Sequence, residues 1–148
     1  MGSVKIACVQ MQCGPDRMKN IVKAENAVRA ADQNGANIIL LPELFERPYF
    51  CQERRYDYYD FAERTEENLA VQRLQKLSAA LNVALPVSFY ERDKNVFYNS
   101  VAMLDGGKML GVYRKTHIPD DHYYQEKFYF TPGNTGFKIF STQFCKIG

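Results

Sequence analysis

No stretch of this sequence is apolar for long enough to cross a membrane, since no run approaches the ~18 residues that a span requires. Lys5 and Gln10 interrupt the one segment that could form a signal-peptide core. A cytoplasmic location is therefore expected. An excess of positive charge is equally lacking: Lys plus Arg number 19 against 17 Asp plus Glu, too even a balance for the basic stripe of a nucleic-acid binder. Neither nucleic acid nor membrane is an expected partner. The usual markers of a metal centre are missing as well. Cys8, Cys13, Cys51 and Cys145 are scattered with no C-x-x-C pair, and the two histidines, His117 and His122, fall together in one distant loop. A zinc site is not expected, because structural zinc normally shows a tight ligand pair. The thiols are expected to be reduced and buried. Met1-Gly2-Ser3 opens like a myristoylation signal, but Ile6 stands where that signal requires Ser or Thr. Repeats, low-complexity tracts and linkers are all absent, so residues 1–148 are read as one unit.

What is present describes a globular chain: 46% of residues are hydrophobic, 24% charged and 14% aromatic, although tryptophan is absent. Val4 to Gln10 is strand-like and precedes a Gly14-Pro15 turn. From Asn20 to Asn34 the apolar positions Ile21, Ala24, Val28 and Ala31 recur at helical spacing, and Gly35 closes the run. Asn37 to Leu41 is apolar on both faces, as in a strand covered on each side. Residues 47–64, rich in Tyr and charge, have no period and read as a surface excursion. A second amphipathic helix runs from Glu67 to Asn82 with Leu74, Leu77 and Leu81 on its stripe. Strand-like segments then follow at Val83 to Glu91, Val96 to Asp105 and Met109 to Arg114. Short turns at Arg92 to Asn95 and at Asp105-Gly106-Gly107 make these antiparallel neighbours. A loop over residues 116–134 precedes a last strand near Phe137 to Phe140 and an apolar run from Phe144 to Gly148. The order β-α-β-α-β-β-β-β predicts an α/β fold: a mixed sheet with helices on one face and the other face left for a partner sheet.

Two of these strands end on chemistry. Asn37 to Leu41 stops at Pro42 and delivers the carboxylate of Glu43, and the run from Tyr113 delivers the ammonium of Lys115. Alone, each would read as a solvated strand end. Together they supply a carboxylate and an ammonium, which is how an α/β enzyme assembles a site.

Leu41-Pro-Glu-Leu-Phe-Glu46 and Tyr113-Arg-Lys-Thr-His-Ile-Pro119 resemble the nitrilase superfamily of carbon–nitrogen hydrolases, and the resemblance extends nearly from Lys5 to Gly148. It implies the N-terminal part of a nitrilase-like α-β-β-α sandwich. It also implies a Glu-Lys-Cys site with a second glutamate, no metal or organic cofactor, and a homo-oligomer. By position Glu43 matches the general base, Lys115 the oxyanion-stabilising lysine and Glu126 the second glutamate, with Glu91 and Asp121 as alternatives for the last. The family's thiol follows a run similar to Lys146-Ile-Gly148, so the residues given stop before the nucleophile and are expected to be inactive alone. Cys145 precedes that step inside a strand pattern and is assigned to packing. The runs Glu43 to Gln52, Pro86 to Glu91 and Glu126 to Phe140 point to the branch that hydrolyses carbamoylated diamines such as N-carbamoylputrescine to the diamine, carbon dioxide and ammonia. For such a cationic substrate Asp120, Asp121 and Tyr49 are the candidate contacts. Asp121-His-Tyr123 departs from the Gly and Pro that relatives often carry there. An ω-amidase or aliphatic amidase is the nearest rival reading, and a non-catalytic binding module the other.

Overall fold

The computed structural model describes residues 3–148, so Met1 and Gly2, on which the lipidation reading turns, lie outside it. Two helices and seven strands organise the described chain. Strands β1 (Ile6–Cys8) and β2 (Ile38–Leu40) pair in parallel, and β2 is parallel to β3 (Ala84–Asp93). Strands β4 (Val96–Asp105) and β5 (Lys108–Arg114) then add antiparallel, giving a five-stranded mixed sheet in the order β1-β2-β3-β4-β5. A small hairpin of β6 (Phe140–Ser141) and β7 (Lys146–Ile147) lies apart in sequence.

Period-2 alternation sorts the side chains of the sheet between two environments. Leu85, Val87 and Phe89 of β3 and Ala102 and Leu104 of β4 pack in one core with Ile21, Ala24 and Val28 of α1 (Arg17–Gln33) and with Val71, Leu74 and Leu77 of α2 (Leu69–Leu81). Both helices thus cover the same face. On the other face the β6–β7 hairpin shields Ile38, Ala84 and Met103, whereas Ile6 and Leu40 stay 62% and 46% exposed. This agrees with the expected mixed sheet carrying helices on one face only.

The first helix begins at Arg17, three residues before its apolar period, because Asp16 caps it by accepting from the Lys19 amide. Its first side chain is held by tertiary partners: the Arg17 guanidinium binds Glu46 and Glu63. The second helix is capped by Asn68, whose Oδ1 accepts from the Val71 amide while its Nδ2 donates to Glu46. It ends at Asn82 in the left-handed conformation.

Residues 47–64 differ from the expected surface excursion. They contain two short 3-10 helices, and Phe50 and Cys51 are buried. Phe50 stacks on Tyr90 and meets Tyr129 edge-on, with ring centroids 5.3 and 5.1 Å apart. Together with Phe130 and Ile118 they form a second, largely aromatic core. The thiols differ from expectation too: only Cys51 is buried, Cys13 is half-buried, and Cys8 and Cys145 are exposed. Cys145 faces solvent because its neighbours Phe144 and Ile147 are the residues that pack on the sheet.

The caps make unequal contributions. Asp16→Ala removes one exposed bond and is expected to be the milder of the two. Asn68→Ala strips both the buried Val71 amide and the Glu46 carboxylate of a partner, for about 2–3 kcal/mol. Urea unfolding of the two variants checks the order.

Candidate active site

Glu43 leaves the sheet just after β2 through a constrained turn. Leu44, 4% exposed, holds φ at 51°, a left-handed conformation that non-glycine residues seldom adopt. The Ser88 hydroxyl of β3 fixes it by accepting the Leu44 amide at 2.9 Å. Lys115 follows β5, and both sides of its backbone are tied. Its amide donates to the Asn99 carbonyl at 2.8 Å, extending the β4–β5 ladder, and its carbonyl accepts from Gly133 at 2.8 Å. Gly133 allows that approach because any Cβ there would stand 2.0 Å from the Arg114 carbonyl oxygen.

The two strand ends converge. Lys115 Nζ donates to Glu43 Oε1 at 3.1 Å and to Glu126 Oε2 at 2.9 Å, so one ammonium bridges two carboxylates. The carboxylates are unequal: the Glu43 side chain is 48% exposed and that of Glu126 only 2%. Burial works against the Lys115 charge, but the hydrogen bonds to Glu126 and Glu43 outweigh it and hold the ammonium above the ordinary lysine range. It is therefore a permanent cation at neutral pH. Tyr49 donates to Glu126 Oε1 at 2.7 Å. Burial and that bond push its phenol well up, so Tyr49 acts as a donor only.

Of the alternatives for the second glutamate, Glu91 is committed elsewhere: Arg114 grips both its oxygens and Ser100 donates to one. Asp121 is exposed. It lines a separate open depression with Arg54, Asp120, His122 and Gln125. Asp120 stands 3.9 Å from the Arg54 guanidinium, and neither aspartate bonds to the Glu43–Lys115–Glu126 cluster. Among the described residues, no group of three His, Cys, Asp or Glu side chains stands close enough to hold a metal ion.

Two residues at the site carried no sequence signal. Asn99 of β4 donates from Nδ2 to Glu43 Oε1 at 2.6 Å; it read as one polar residue within a strand. Cys51 lies beneath the cluster, fully buried. Burial first, and then the neighbouring Glu126 charge, push its thiol well up, which makes it an inert packing group. The cluster opens on a groove of about 300 Å³ over the uncovered sheet face, walled by Leu40, Pro86, Val101 and Tyr113. The arrangement supplies an exposed carboxylate able to take and return a proton, a fixed cation to stabilise an oxyanion and an apolar floor beside both.

A carbon-nitrogen hydrolase family model matches residues 5–148. The chain is 49% identical over 146 residues to an N-carbamoylputrescine amidase of Arabidopsis thaliana, covering 98% of this chain and 49% of that protein. It is 44% identical to a citrullinase of Francisella tularensis, covering 100% of this chain and 52% of the relative. The crystal structure of a carbon-nitrogen hydrolase from Helicobacter pylori superposes with a TM-score of 0.86 at 35% identity, over 95% of this chain and 48% of that one. The chain thus spans about half the length of the relatives it matches.

Lys115 is what makes a buried Glu126 tolerable. Lys115→Met is expected to cost about 3 kcal/mol by leaving that carboxylate without its cation, and adding Glu126→Gln should recover most of the loss. A double-mutant cycle by denaturant unfolding measures the coupling. Gly133→Ala should be severely destabilising or move the Lys115 backbone, visible as lost hydrogen-exchange protection of the Lys115 and Gly133 amides.

Proposed function

The chain belongs to the carbon–nitrogen hydrolase family, and we propose that it supplies the base, the oxyanion-binding lysine and the second glutamate of an amidase that cleaves N-carbamoylputrescine. The observation that carries this reading is the Lys115 ammonium held between Glu43 and Glu126 at the mouth of the groove. The nucleophile is taken to be a thiol outside these residues, since Cys51 is sealed in the core and neither Cys8, Cys13 nor Cys145 hydrogen-bonds to Glu43, Lys115 or Glu126. On this reading residues 1–148 by themselves do not turn over substrate, and activity belongs to a protein that also carries the thiol.

In the proposed reaction Glu43 takes the thiol proton as sulfur adds to the carbamoyl carbon. Lys115 stabilises the oxyanion that forms. Collapse of the tetrahedral intermediate breaks one C–N bond, and Glu43 returns its proton to the departing nitrogen. Water, deprotonated by Glu43, then frees the sulfur, and the carbamate produced loses carbon dioxide to release the second amine. One water is consumed per turnover and putrescine, carbon dioxide and ammonia result. Glu126 offsets the lysine charge and, with Tyr49, fixes where the ammonium points.

A second reading shares this chemistry. Citrulline carries the same carbamoylated nitrogen on an amino acid, and the citrullinase relative favours it as an alternative substrate. The discriminating feature is charge at the far end of the substrate. Asp120 and Asp121 are proposed to attract the free ammonium of N-carbamoylputrescine, an interaction the carboxylate of citrulline would oppose.

Ammonia release by the full-length protein is the test, with N-carbamoylputrescine, citrulline and a dicarboxylic acid monoamide offered in parallel. Preference for the first is expected; turnover of the monoamide alone would replace this reading with an ω-amidase. Lys115→Ala should lower kcat by about a hundredfold or more. Asp120→Asn with Asp121→Asn should raise KM for N-carbamoylputrescine several-fold while leaving kcat near the parent value.

A further inference from the structure

We propose that Asn99 is the positioning residue for the base, holding one oxygen of Glu43 so that the other is the one presented for proton transfer. The inference rests on the hydrolase reading above and adds to it a residue that acts through Glu43. Glu43 is nearly half-exposed, and a glutamate that open would ordinarily sample several rotamers. Here Oε1 accepts from both Asn99 Nδ2, at 2.6 Å, and Lys115 Nζ, at 3.1 Å. Among the described residues Oε2 has no hydrogen-bond partner. Two donors on one oxygen fix the plane of the carboxylate and leave Oε2 as its free basic atom.

Asn99 is suited to this because it is itself immobile. It is 4% exposed and lies on β4 opposite Tyr90 of β3. Its own carbonyl accepts the Lys115 amide. A single residue therefore sets both the side chain of the base and the backbone of the lysine, and so their separation. The amide also suits the charge balance. The ionisable groups around Glu43 include Lys115, Glu126, Tyr49, Cys51 and Tyr113, of which only Lys115 is cationic. A neutral donor steadies the ionised carboxylate without adding charge to a cation already shared between two acids.

Asn99→Asp exchanges the donor for a carboxylate at almost constant volume. The bond to Glu43 Oε1 is thereby lost and replaced by repulsion. In this chain, NMR three-bond couplings of the Glu43 side chain should therefore pass from the single rotamer of the parent to averaged values. Asn99→Ser, smaller and uncharged, removes the donor's reach and should loosen the Glu43 rotamer likewise; it decides the matter if the aspartate variant does not fold. An unchanged Glu43 rotamer in either folded variant overturns the proposal. In the full-length enzyme Asn99→Ser should lower kcat about tenfold or more with KM within about threefold, and an unchanged kcat likewise overturns it. A full-length parent inactive on every substrate would defeat the proposed function instead, and the rotamer measurement would still decide whether Asn99 holds Glu43.

Discussion

The buried carboxylate of Glu126 is the constraint around which the site is arranged. At 2% exposure it has lost its water, and a charge removed from water must be paired and hydrogen-bonded or it does not stay charged. Lys115 supplies the charge and Tyr49 a further donor. That requirement fixes the ammonium in place before any substrate arrives. Glu43, on the opposite side of the same ammonium, is far more exposed and remains accessible. The inequality separates the two carboxylates: the dry one anchors the lysine, and the wet one stays open to solvent.

The two sides of the sheet divide the labour. The helix-covered face is apolar almost throughout and gives a close-packed layer that resists rearrangement. Charge clusters flank it instead of entering it. Arg17 with Glu46 and Glu63 pins the start of α1, and Arg114 with Glu91 lies over the ring of Tyr98 at 4.0 Å. Side chains with chemistry come from the other face or from strand ends that lead onto it. A site built on strand termini borrows their rigidity, and the left-handed turn at Leu44 and the Gly133 contact are the local costs of aiming Glu43 and Lys115 at one another.

The sequence pattern showed the strands, both helices and the two strand-end residues, because periodicity and terminating prolines are local signals. What it hid was non-local. The aromatic core over residues 47–64 has no repeat, since short 3-10 turns and edge-on rings impose none; its order comes from contacts with Tyr129 and Phe130, about eighty residues from Phe50. Arg17 preceded the apolar period of α1 and looked like loop, yet it is held by acids 29 and 46 residues away. Glu126 was set above Glu91 and Asp121 by family resemblance; what the pattern hid is that the fold brings Glu126 against Lys115 while Arg114 occupies Glu91. Asn99 looked like any polar strand residue. Its value depends on which side chain the neighbouring strand sets opposite it, a matter of register that composition does not carry.

That register is set by one extra residue. Strands β4 and β5 leave their turn with Asp105 opposite Lys108 and Leu104 opposite Met109, yet Met103 faces Gly111, so Leu110 is left over as a bulge. Had the pairing continued regularly, Asn99 would lie opposite Arg114. The bulge advances β5 by one position, places Tyr113 opposite Val101, and brings Lys115 level with Asn99, whose carbonyl takes the Lys115 amide. The same step puts Arg114 opposite Ser100, where both reach Glu91. Because side chains alternate across a strand, a slip of one residue exchanges the faces: the guanidinium would face the groove and the ammonium the helices. Gly111, whose φ of 149° few side chains tolerate, sits at the irregularity and makes it possible. The identity of the cation beside Glu43 is thus decided some way from the site, at the bulge that sets how β5 lies on β4.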